Sequence, residues 1–409
     1  TGAITIELNA AGVERAVSRV GSQVSDQTMD LLVDAQKAFE DSLLGASDPT
    51  SGLTRLALLD PQLLLALILI RDSSQAGVIE MSPQKGEDPD IAARNQRARG
   101  GLEELHDLAG ALISQGNDSV LWIDHDGRPP TLHSAPLSVA HILRDKLFAE
   151  KFAVVTSATL TTGGNFDAIT QSLGLGTDAR TETVDVGSPF DYPKQGILYV
   201  AADLPPPGRE GLDMAALDAM GELVEASGGR TLILCSSWRA VEKAGEYLRV
   251  RCDTPLHIQR KGESVSLSVE RFTAEIESTL IGTLSLWQGV DIPGDSCIQV
   301  IIDRIPFPRP DDPVMSARSS RVDEAGGSGF RSVTLPRAGL LLAQASGRLI
   351  RSGQDRGVVS VLDSRLANSG YGGSLRKSMP PMWFTRDKSV AIRSLERLRV
   401  ESDQRIAGQ

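Results

Sequence analysis

The sequence predicts an α/β fold built on a parallel sheet and preceded by a helical region. The sheet is indicated by short, continuously apolar runs that alternate with helical patterns from residue 150 onward. Such runs are typical of strands that helices cover on both faces. The helical region is indicated by apolar residues at helix-like spacing before residue 118. The predicted strands are Phe152–Val155, Thr231–Leu234, Thr279–Ile281, Ile298–Ile302 and Val358–Leu362.

Each predicted helix is recognised by its periodic apolar residues. The predicted helices are Gly12–Phe39, Leu53–Arg71 and Ile91–Ser114 in the first region, and Ala215–Ala226, Trp238–Val250 and Leu335–Ile350 in the second. Between the two regions, Val120–Pro136 predicts a hairpin, because alternating apolar residues precede the turn dipeptide Asp126-Gly127. The neighbouring Asp124-His125-Asp126 has no second acidic or histidine cluster nearby, so we predict no metal site there.

The charge balance excludes a strongly basic nucleic-acid coat. Lys and Arg number 42 against 53 Asp and Glu, which gives a net charge of -11. A nucleic-acid partner then needs a local groove with its own basic lining. The longest apolar run, Leu63–Ile70, is far shorter than the roughly 20 residues of a bilayer span. The cysteines Cys235, Cys252 and Cys297 fit neither a disulfide framework nor a metal site, which favours a reducing compartment.

Polar or glycine-rich segments follow three of the predicted strands. They are Thr156–Leu160, Ser236–Arg239 and Gly282–Gly294. Ligands of parallel sheets bind beyond the carboxyl ends of the strands, where hydroxyl groups, helix N-termini and glycine backbones can reach a phosphate. Each segment taken alone also fits an ordinary turn or helix cap.

A fourth segment, Leu341–Arg351, is predicted as a helix. Gln344, Arg348 and Arg351 have the spacing i, i+4, i+7, which places them on one face of such a helix. Two guanidinium groups on one stripe repel each other unless they share an anion, and a triphosphate suits their bidentate geometry. A surface ion-pair stripe explains the same spacing.

In order and spacing, the four segments resemble the helicase motifs III, IV, V and VI of superfamily two, most closely those of the DinG/XPD group. The matching residues are 156–160, 236–238, 287–294 and 344–351. The detailed resemblance covers about residues 119–385. It implies a helical Arch-like domain at 1–118, a remnant of the first RecA-like motor domain at 119–162, and the second RecA-like motor domain at 163–409.

The resemblance implies the C-terminal portion of an ATP-dependent helicase that moves 5′ to 3′ on single-stranded DNA in replication or repair. ATP and Mg²⁺ are the implied ligands. Single-stranded DNA, and also RNA–DNA hybrids, are the implied nucleic acids. The resemblance further implies a monomer of the bacterial cytoplasm with no membrane contact.

The resemblance assigns roles to individual residues. Arg348 and Arg351 would act as arginine fingers, and Gln344 would orient a phosphate or the attacking water. The expected nucleotide-facing residues are Gly289, Asp291 and Gly347. The expected coupling residues are Thr156, Ser157, Ala158 and Thr159. The expected DNA-binding residues are Ser236, Ser237, Trp238, Gln259, Lys261, Thr283 and Trp287.

Two motifs of such motors are absent from the sequence, namely a G-x-x-x-x-G-K-[ST] phosphate loop and a DEAH box. We therefore expect most contacts to ATP and Mg²⁺ in a missing N-terminal half, and we expect the chain alone to be inactive as an ATPase. Some members of the group that the chain resembles hold an iron–sulfur cluster on four cysteines of the first motor domain, and this chain cannot supply it. Whether the parent protein has one stays open. The alternatives are an RNA-capable helicase and a non-catalytic nucleic-acid-binding scaffold.

Overall fold

The structure is a computed structural model that describes residues 5–48, 52–82, 88–116, 118–125, 129–157, 165–176, 180–208, 211–283, 286, 292 and 294–407. The strands are β1 (Ile6–Asn9), β2 (Leu53–Leu56), β3 (Ser119–Asp124), β4 (Thr131–Pro136), β5 (Gly196–Val200), β6 (Thr231–Leu234), β7 (Leu256–Ile258), β8 (Thr279–Gly282), β9 (Gln299–Ile302), β10 (Gly357–Val361) and β11 (Trp383–Thr385). The helices are α1 (Ala10–Val20), α2 (Asp26–Ala46), α3 (Pro61–Glu80), α4 (Pro89–Ile113), α5 (Ala140–Leu143), α6 (Asp167–Leu173), α7 (Tyr192–Gln195), α8 (Met214–Ser227), α9 (Trp238–Arg251), α10 (Val265–Ala274), α11 (Pro313–Glu324), α12 (Leu335–Ser346), α13 (Arg365–Asn368), α14 (Gly372–Ser378) and α15 (Lys388–Ala407).

The chain divides into two compact units. The first unit contains Thr1–Phe152, Ser172–Leu175 and Arg309–Gly329, and the second contains Ala153–Gln171, Gly176–Pro308 and Phe330–Gln409. In the first unit an antiparallel sheet of order β1-β4-β3-β2 packs with helices α1 to α4 around an apolar core. The helix α11 packs through Ala317 against Val120, Trp122 and Ala135 of the β3–β4 hairpin.

The helix α3 is the one described helix with the length and composition of a membrane-spanning segment. Its residues Leu63, Leu67 and Ile70 are fully buried in the core of the first unit. Its neighbours there are α2 and α4. A core helix of a globular unit passes the same test of length and composition, so α3 gives no argument for a membrane.

The second unit is built on a seven-stranded parallel sheet of order β11-β5-β10-β9-β6-β8-β7. Side chains of each strand alternate between two apolar layers. In β9, for example, Val300 and Ile302 pack with α12 and α14, whereas Ile301 packs with α8, α9 and α15. Helices on both faces explain why the strands are continuously apolar, and the predicted α/β class is confirmed.

Four of the five predicted strands are present as β6, β8, β9 and β10. Residues Phe152–Val155 were predicted as the fifth but belong to no strand, and Phe152 and Val154 are fully exposed. A strand requires hydrogen-bonded neighbours, and no described strand pairs with these residues. The strands β5, β7 and β11 had no prediction, because runs of three to five residues carry little periodic signal.

The hairpin prediction is confirmed, since β3 and β4 pair antiparallel with Ser119 opposite Pro136. The predicted turn at 126–127 lies outside the described residues. The helix predicted at Leu53–Arg71 is wrong in its first part, because Leu53–Leu56 pairs with β3 and Pro61 begins the helix. The helix predicted at Gly12–Phe39 is two helices, separated at Gly21, which has a φ of 53°.

The compact units do not follow the predicted boundary at residue 118. The hairpin β3–β4 pairs with β1 and β2, so residues 119–136 share a sheet with the helical region before them. Residues 309–329 also belong to this unit, although the second motor domain was predicted to run from 163 to 409. The assignment of either unit to a domain of a longer motor stays a prediction.

Candidate functional site

Hydrogen bonds join the carboxyl ends of the five neighbouring strands β7, β8, β6, β9 and β10. We call this row the carboxyl edge and define it by Gln259, Thr283, Ser236, Asp303 and Asp363, each of which follows one of these strands by one or two residues. It includes three of the predicted DNA-binding residues, which the fold brings onto one edge of one sheet.

The first link of the carboxyl edge joins the ends of β7 and β8. The side-chain oxygen of Gln259 accepts from the backbone N–H of Thr283 at 2.9 Å and from its hydroxyl at 3.3 Å. Gln259 is only 4% exposed, so its amide shapes the loop rather than presenting a free group. A Cβ at 282 would lie 2.2 Å from a methyl carbon of Leu286 and 2.6 Å from the Gln259 oxygen, so a larger residue there would force these side chains to shift.

The second link joins the ends of β6 and β9 through a buried carboxylate. Asp303 accepts from the backbone N–H of Ser236 at 3.0 Å, from its hydroxyl at 2.8 Å, and from the N–H of Arg304 at 2.7 Å. Burial raises the pKa of Asp303 to about 6, although the hydrogen bonds from Ser236 and the charge of Arg304 act to lower it. Asp303 therefore fixes the backbone of the turn that precedes α9.

The third link joins the ends of β9 and β10. The carboxylate of Asp363, which is fully buried, accepts from the N–H of Ile305 at 2.9 Å. It also holds Arg365 in a two-point contact, with Nε at 2.9 Å and Nη2 at 2.7 Å. This bidentate geometry fixes the plane of the guanidinium group.

The remaining predicted DNA-binding residues of the described chain lie beside these links. The hydroxyl of Ser237 accepts from the N–H of Ala240 as the cap of α9. Ser237 and Lys261 are exposed, and Trp238 is partly buried against the α8–α9 side of the sheet. Ser237 and Lys261 are thus the groups best placed to meet a ligand at this edge.

The predicted helix through Arg351 ends earlier, at Ser346. The hydroxyl of Ser346 bonds back to the carbonyl of Leu342 at 2.6 Å, and Gly347, a poor helix former, follows it. The prediction that Gln344, Arg348 and Arg351 share one face of a helix is therefore wrong. Both arginines lie instead on a loop, residues 347–356, which we call the arginine loop.

The arginine loop is held by internal hydrogen bonds. Asp355 accepts from the N–H groups of Arg351 at 2.8 Å and Ser352 at 2.7 Å. The buried amide of Gln195 donates to the carbonyls of Ser352 and Asp355, which ties the loop to the start of β5. Arg351 is exposed, and its Nε donates to the carbonyl of Arg348 at 3.3 Å.

The predicted site residues therefore form two groups rather than one. The arginine loop precedes β10, whereas the carboxyl edge follows β6 to β10. Because all the strands are parallel, these groups lie at opposite ends of the sheet. Gln344 lies on the last turn of α12, with a buried side-chain oxygen that accepts no hydrogen bond from the described residues.

Several predicted site residues lie outside the described part of the chain. They are Ala158, Thr159, Trp287, Gly289 and Asp291. Of the coupling residues, Thr156 and Ser157 are described and exposed. The described residues contain no group of three or more His, Cys, Asp or Glu side chains that could hold a metal ion.

The structure adds Asp303, Asp363 and Gln195, which the sequence analysis did not select as site residues. The sequence could have indicated both aspartates, because Asp303 directly follows an apolar strand and Asp363 lies two residues after another. Nothing in the sequence indicated Gln195, because its partners are backbone carbonyls 157 and 160 residues away.

Comparison with known proteins identifies relatives of both the sequence and the fold. Residues 220–382 match a family described as the helicase C-terminal domain. The ATP-dependent helicase DinG of Mycobacterium tuberculosis (strain H37Rv) is 49% identical over 308 residues, which cover 73% of this chain and 46% of that protein. The ATP-dependent DNA helicase YoaA of Escherichia coli (strain K12) is 36% identical over 276 residues, covering 67% and 43%.

The solved structure of S. tokodaii Xpd4 superposes with a TM-score of 0.58 at 14% identity, covering 93% of this chain and 72% of that one. At this identity the likeness shows the fold alone. The chain spans less than half the length of the two curated relatives. Sequence and fold agree: residues 220–382 belong to the helicase C-terminal domain family, the sequence is similar to the helicases DinG and YoaA, and the fold is similar to that of Xpd4.

Proposed function

We propose that the chain supplies the C-terminal part of an ATP-dependent DNA helicase that moves 5′ to 3′ on single-stranded DNA in replication or repair. The observation that carries the proposal is the carboxyl edge, where hydrogen bonds align the ends of five strands. The names of the relatives support an ATP-driven DNA helicase. The proposed setting is a monomer in the bacterial cytoplasm.

The proposed role of the carboxyl edge is to hold the backbone of single-stranded DNA. Ser237 offers a hydroxyl proton, the N-terminus of α9 offers N–H groups, and Lys261 offers a positive charge. Contacts of this kind to phosphates hold a strand without reading its sequence, as a translocating motor requires. A few local donors also suffice in a chain whose net charge is -11.

The proposed role of the arginine loop is to stabilise the γ-phosphate of ATP during hydrolysis. Arg351 is exposed on a loop that Asp355 and Gln195 hold in place, so its charge can be presented at low entropic cost. Arg348, Gln344 and Gly347 would complete this contact, together with Gly289 and Asp291. Thr156 to Thr159 would couple hydrolysis to closure of two motor domains.

The described residues suit the phosphate oxygens of ATP but not its Mg²⁺ ion. Guanidinium groups match phosphate oxygens, whereas Mg²⁺ takes oxygen ligands such as carboxylates. With no phosphate loop in the sequence, we expect the ligands of Mg²⁺ in the part of the protein that the chain does not span. The chain by itself is then expected to show negligible ATP hydrolysis.

The test is ATP hydrolysis by the full-length protein, alone, with single-stranded DNA and with single-stranded RNA, using the 409-residue chain as the blank. We expect strong stimulation by DNA and weak stimulation by RNA. Arg351→Ala should lower turnover by about 10³-fold or more, the range of an arginine finger, while DNA binding is kept. Arg356→Ala, at the exposed end of the same loop, is the matched control and should change little.

Each other outcome would redirect the proposal. Equal stimulation by RNA would favour an RNA-capable helicase. No hydrolysis by a full-length protein with an intact phosphate loop would favour a nucleic-acid-binding scaffold. Turnover by the 409-residue chain that Arg351→Ala abolishes would contradict the expected inactivity of the chain.

A further inference from the structure

We propose that Phe307, Phe330 and Tyr371, together with Arg365, form a stacking site for a base of single-stranded DNA. We call the three rings the aromatic cluster. The inference rests on the proposed function and adds to it a site for the bases, whereas the carboxyl edge offers groups only to the backbone.

The three rings form a closed set of aromatic contacts. The ring centroids of Phe307 and Phe330 are 5.8 Å apart, those of Phe330 and Tyr371 are 5.3 Å apart, and those of Phe307 and Tyr371 are 5.9 Å apart. These are the tilted and edge-on arrangements that aromatic side chains prefer. The guanidinium carbon of Arg365 lies 5.5 Å from the centroid of Phe307, within cation–π range.

The cluster packs against the apolar core through two of its rings and exposes the third to solvent. Phe307 and Tyr371 pack against the apolar layer of α12 and α14, whereas Phe330 is 41% exposed. Phe330 begins a π-helical turn, Phe330–Thr334, that leads directly into α12. An exposed ring supported by two partly buried ones is a rigid platform, because stacking on it orders few additional side chains.

Arg365 is fixed in the same way. The buried carboxylate of Asp363 takes its Nε and Nη2 groups, and within the described chain its Nη1 group has no acceptor. The side chain keeps 31% of its surface exposed beside Phe307. A guanidinium group held in one plane can stack on a base or donate to the adjoining phosphate.

The cluster lies at the end of the sheet where the DNA backbone is proposed to bind. Phe307 follows β9 and Arg365 follows β10, and Ser236 follows the next strand, β6. The step from β7 to β10 crosses four strand spacings, about 19 Å at ~4.8 Å each. A single strand lying across the edge from Lys261 would therefore reach the cluster after a few nucleotides.

The test compares DNA strands with and without bases. The 409-residue chain and its Phe330→Ala variant are titrated with a short oligothymidine and with the same strand made abasic at successive positions. Stacking on an aromatic ring strengthens binding about tenfold per base. We expect Phe330→Ala to weaken binding of the intact strand about tenfold, but to leave binding of the strand that lacks the stacked base nearly unchanged.

Two further variants separate stacking from folding. Phe330→Trp should keep the affinity for the intact strand, whereas Phe330→Leu, which keeps the apolar contact with Tyr371, should lose it. Trp383→Leu is the matched control, since Trp383 is also an exposed aromatic residue (51%) of this sheet but lies within β11. It should bind like the wild type.

The outcomes distinguish the inference from the proposed function. An equal loss on intact and abasic strands, or no loss with Phe330→Ala, would overturn the stacking site while leaving DNA binding in place. In that case an apolar protein partner would be the better occupant of the exposed ring. No binding of any strand by the wild-type chain would overturn both.

Discussion

Asp303 shows how one buried side chain organises the candidate DNA-binding edge. Its carboxylate accepts from both the backbone and the hydroxyl of Ser236, yet it is only 1% exposed. Burying a charge costs free energy unless hydrogen bonds replace its water, and here the replacement is incomplete, because burial remains the largest influence on its pKa. The turn before α9 is therefore held by the Asp303 carboxylate, whose ionised form is destabilised by its burial in the folded chain.

This conflict predicts a pH dependence of stability. The folded pKa of about 6 lies above the ordinary value of 3.8, so the folded chain binds this proton more tightly than the unfolded chain does. The resulting stabilisation is present below pH 3.8 and is lost as the pH rises to about 6. Relative to Asp303→Asn, the wild type should lose on the order of 3 kcal/mol of unfolding free energy between pH 4 and 7.

The measurement is chemical denaturation of both proteins across that range of pH. Asp311→Asn is the control, because a hydrogen bond from Arg309 lowers the pKa of Asp311 from its ordinary value of 3.8. The stability that Asp311 contributes is lost only as the pH falls below that value, so the difference between the wild type and Asp311→Asn should hardly change across the range used for Asp303. A difference between wild type and Asp303→Asn that does not change with pH would show that Asp303 titrates normally.

At the scale of elements, α15 is attached to the sheet through a buried arginine. Arg230 follows Gly228 and Gly229 in the turn before β6, has a φ of 44° and is 1% exposed. Its Nη2 donates to Asp403 of α15 at 2.5 Å and to Glu277 at 3.2 Å. Its Nε and Nη1 groups donate to no acceptor among the described residues, so the guanidinium group depends on these two carboxylates.

Removing the Asp403 carboxylate should therefore lower the free energy of unfolding by more than the exposure of this side chain suggests. Asp403 is 45% exposed, but Asp403→Ala leaves a buried positive charge with one partner. We expect it to lower the unfolding free energy by about 1–3 kcal/mol. Glu401→Ala, which breaks an exposed pair with Arg397 on the same helix, should change it by less than about 0.5 kcal/mol. Equal effects of the two substitutions in denaturant unfolding would mean that water already solvates Arg230.

The elements also show what a sequence can and cannot predict. Strands such as β6 and β9 were predicted because parallel strands between helices are apolar on both faces. The end of α12 was not predicted, because the apolar pattern continues through Leu349 and Ile350. These two residues are buried in the loop beyond the helix. Likewise the links through Asp303 and Gln195 join residues far apart in sequence, and local periodicity carries no information about such pairs.

At the scale of the whole molecule, the chain has a separate apolar core for each compact unit. Leu102 is fully buried in the core of the first unit, and Val300 in that of the second. Units with their own cores can unfold in separate cooperative steps. The sequence predicted two regions of different character, but not that residues 309–329 return to the first unit.

We therefore expect two thermal transitions that respond to different substitutions. Leu102→Ala should destabilise the first unit by about 2–5 kcal/mol and Val300→Ala the second by a smaller amount, each moving one transition only. Fluorescence of Trp122, which is buried in the first unit, can be compared with that of a Trp122→Phe variant to identify its transition. A single transition that both core variants shift would show that the units unfold together.

The strand β10 is a rigid connection between the two groups of predicted site residues. All five of its residues are buried, it has neighbours on both sides, and it spans about 16 Å between the arginine loop and Asp363. A strand confined between two neighbouring strands cannot bend easily, so we expect a displacement of one of its ends to move the other end. A displacement of the arginine loop is therefore expected to reach Arg365, which follows the other end of β10. We therefore expect the sheet of the second unit to move as one body.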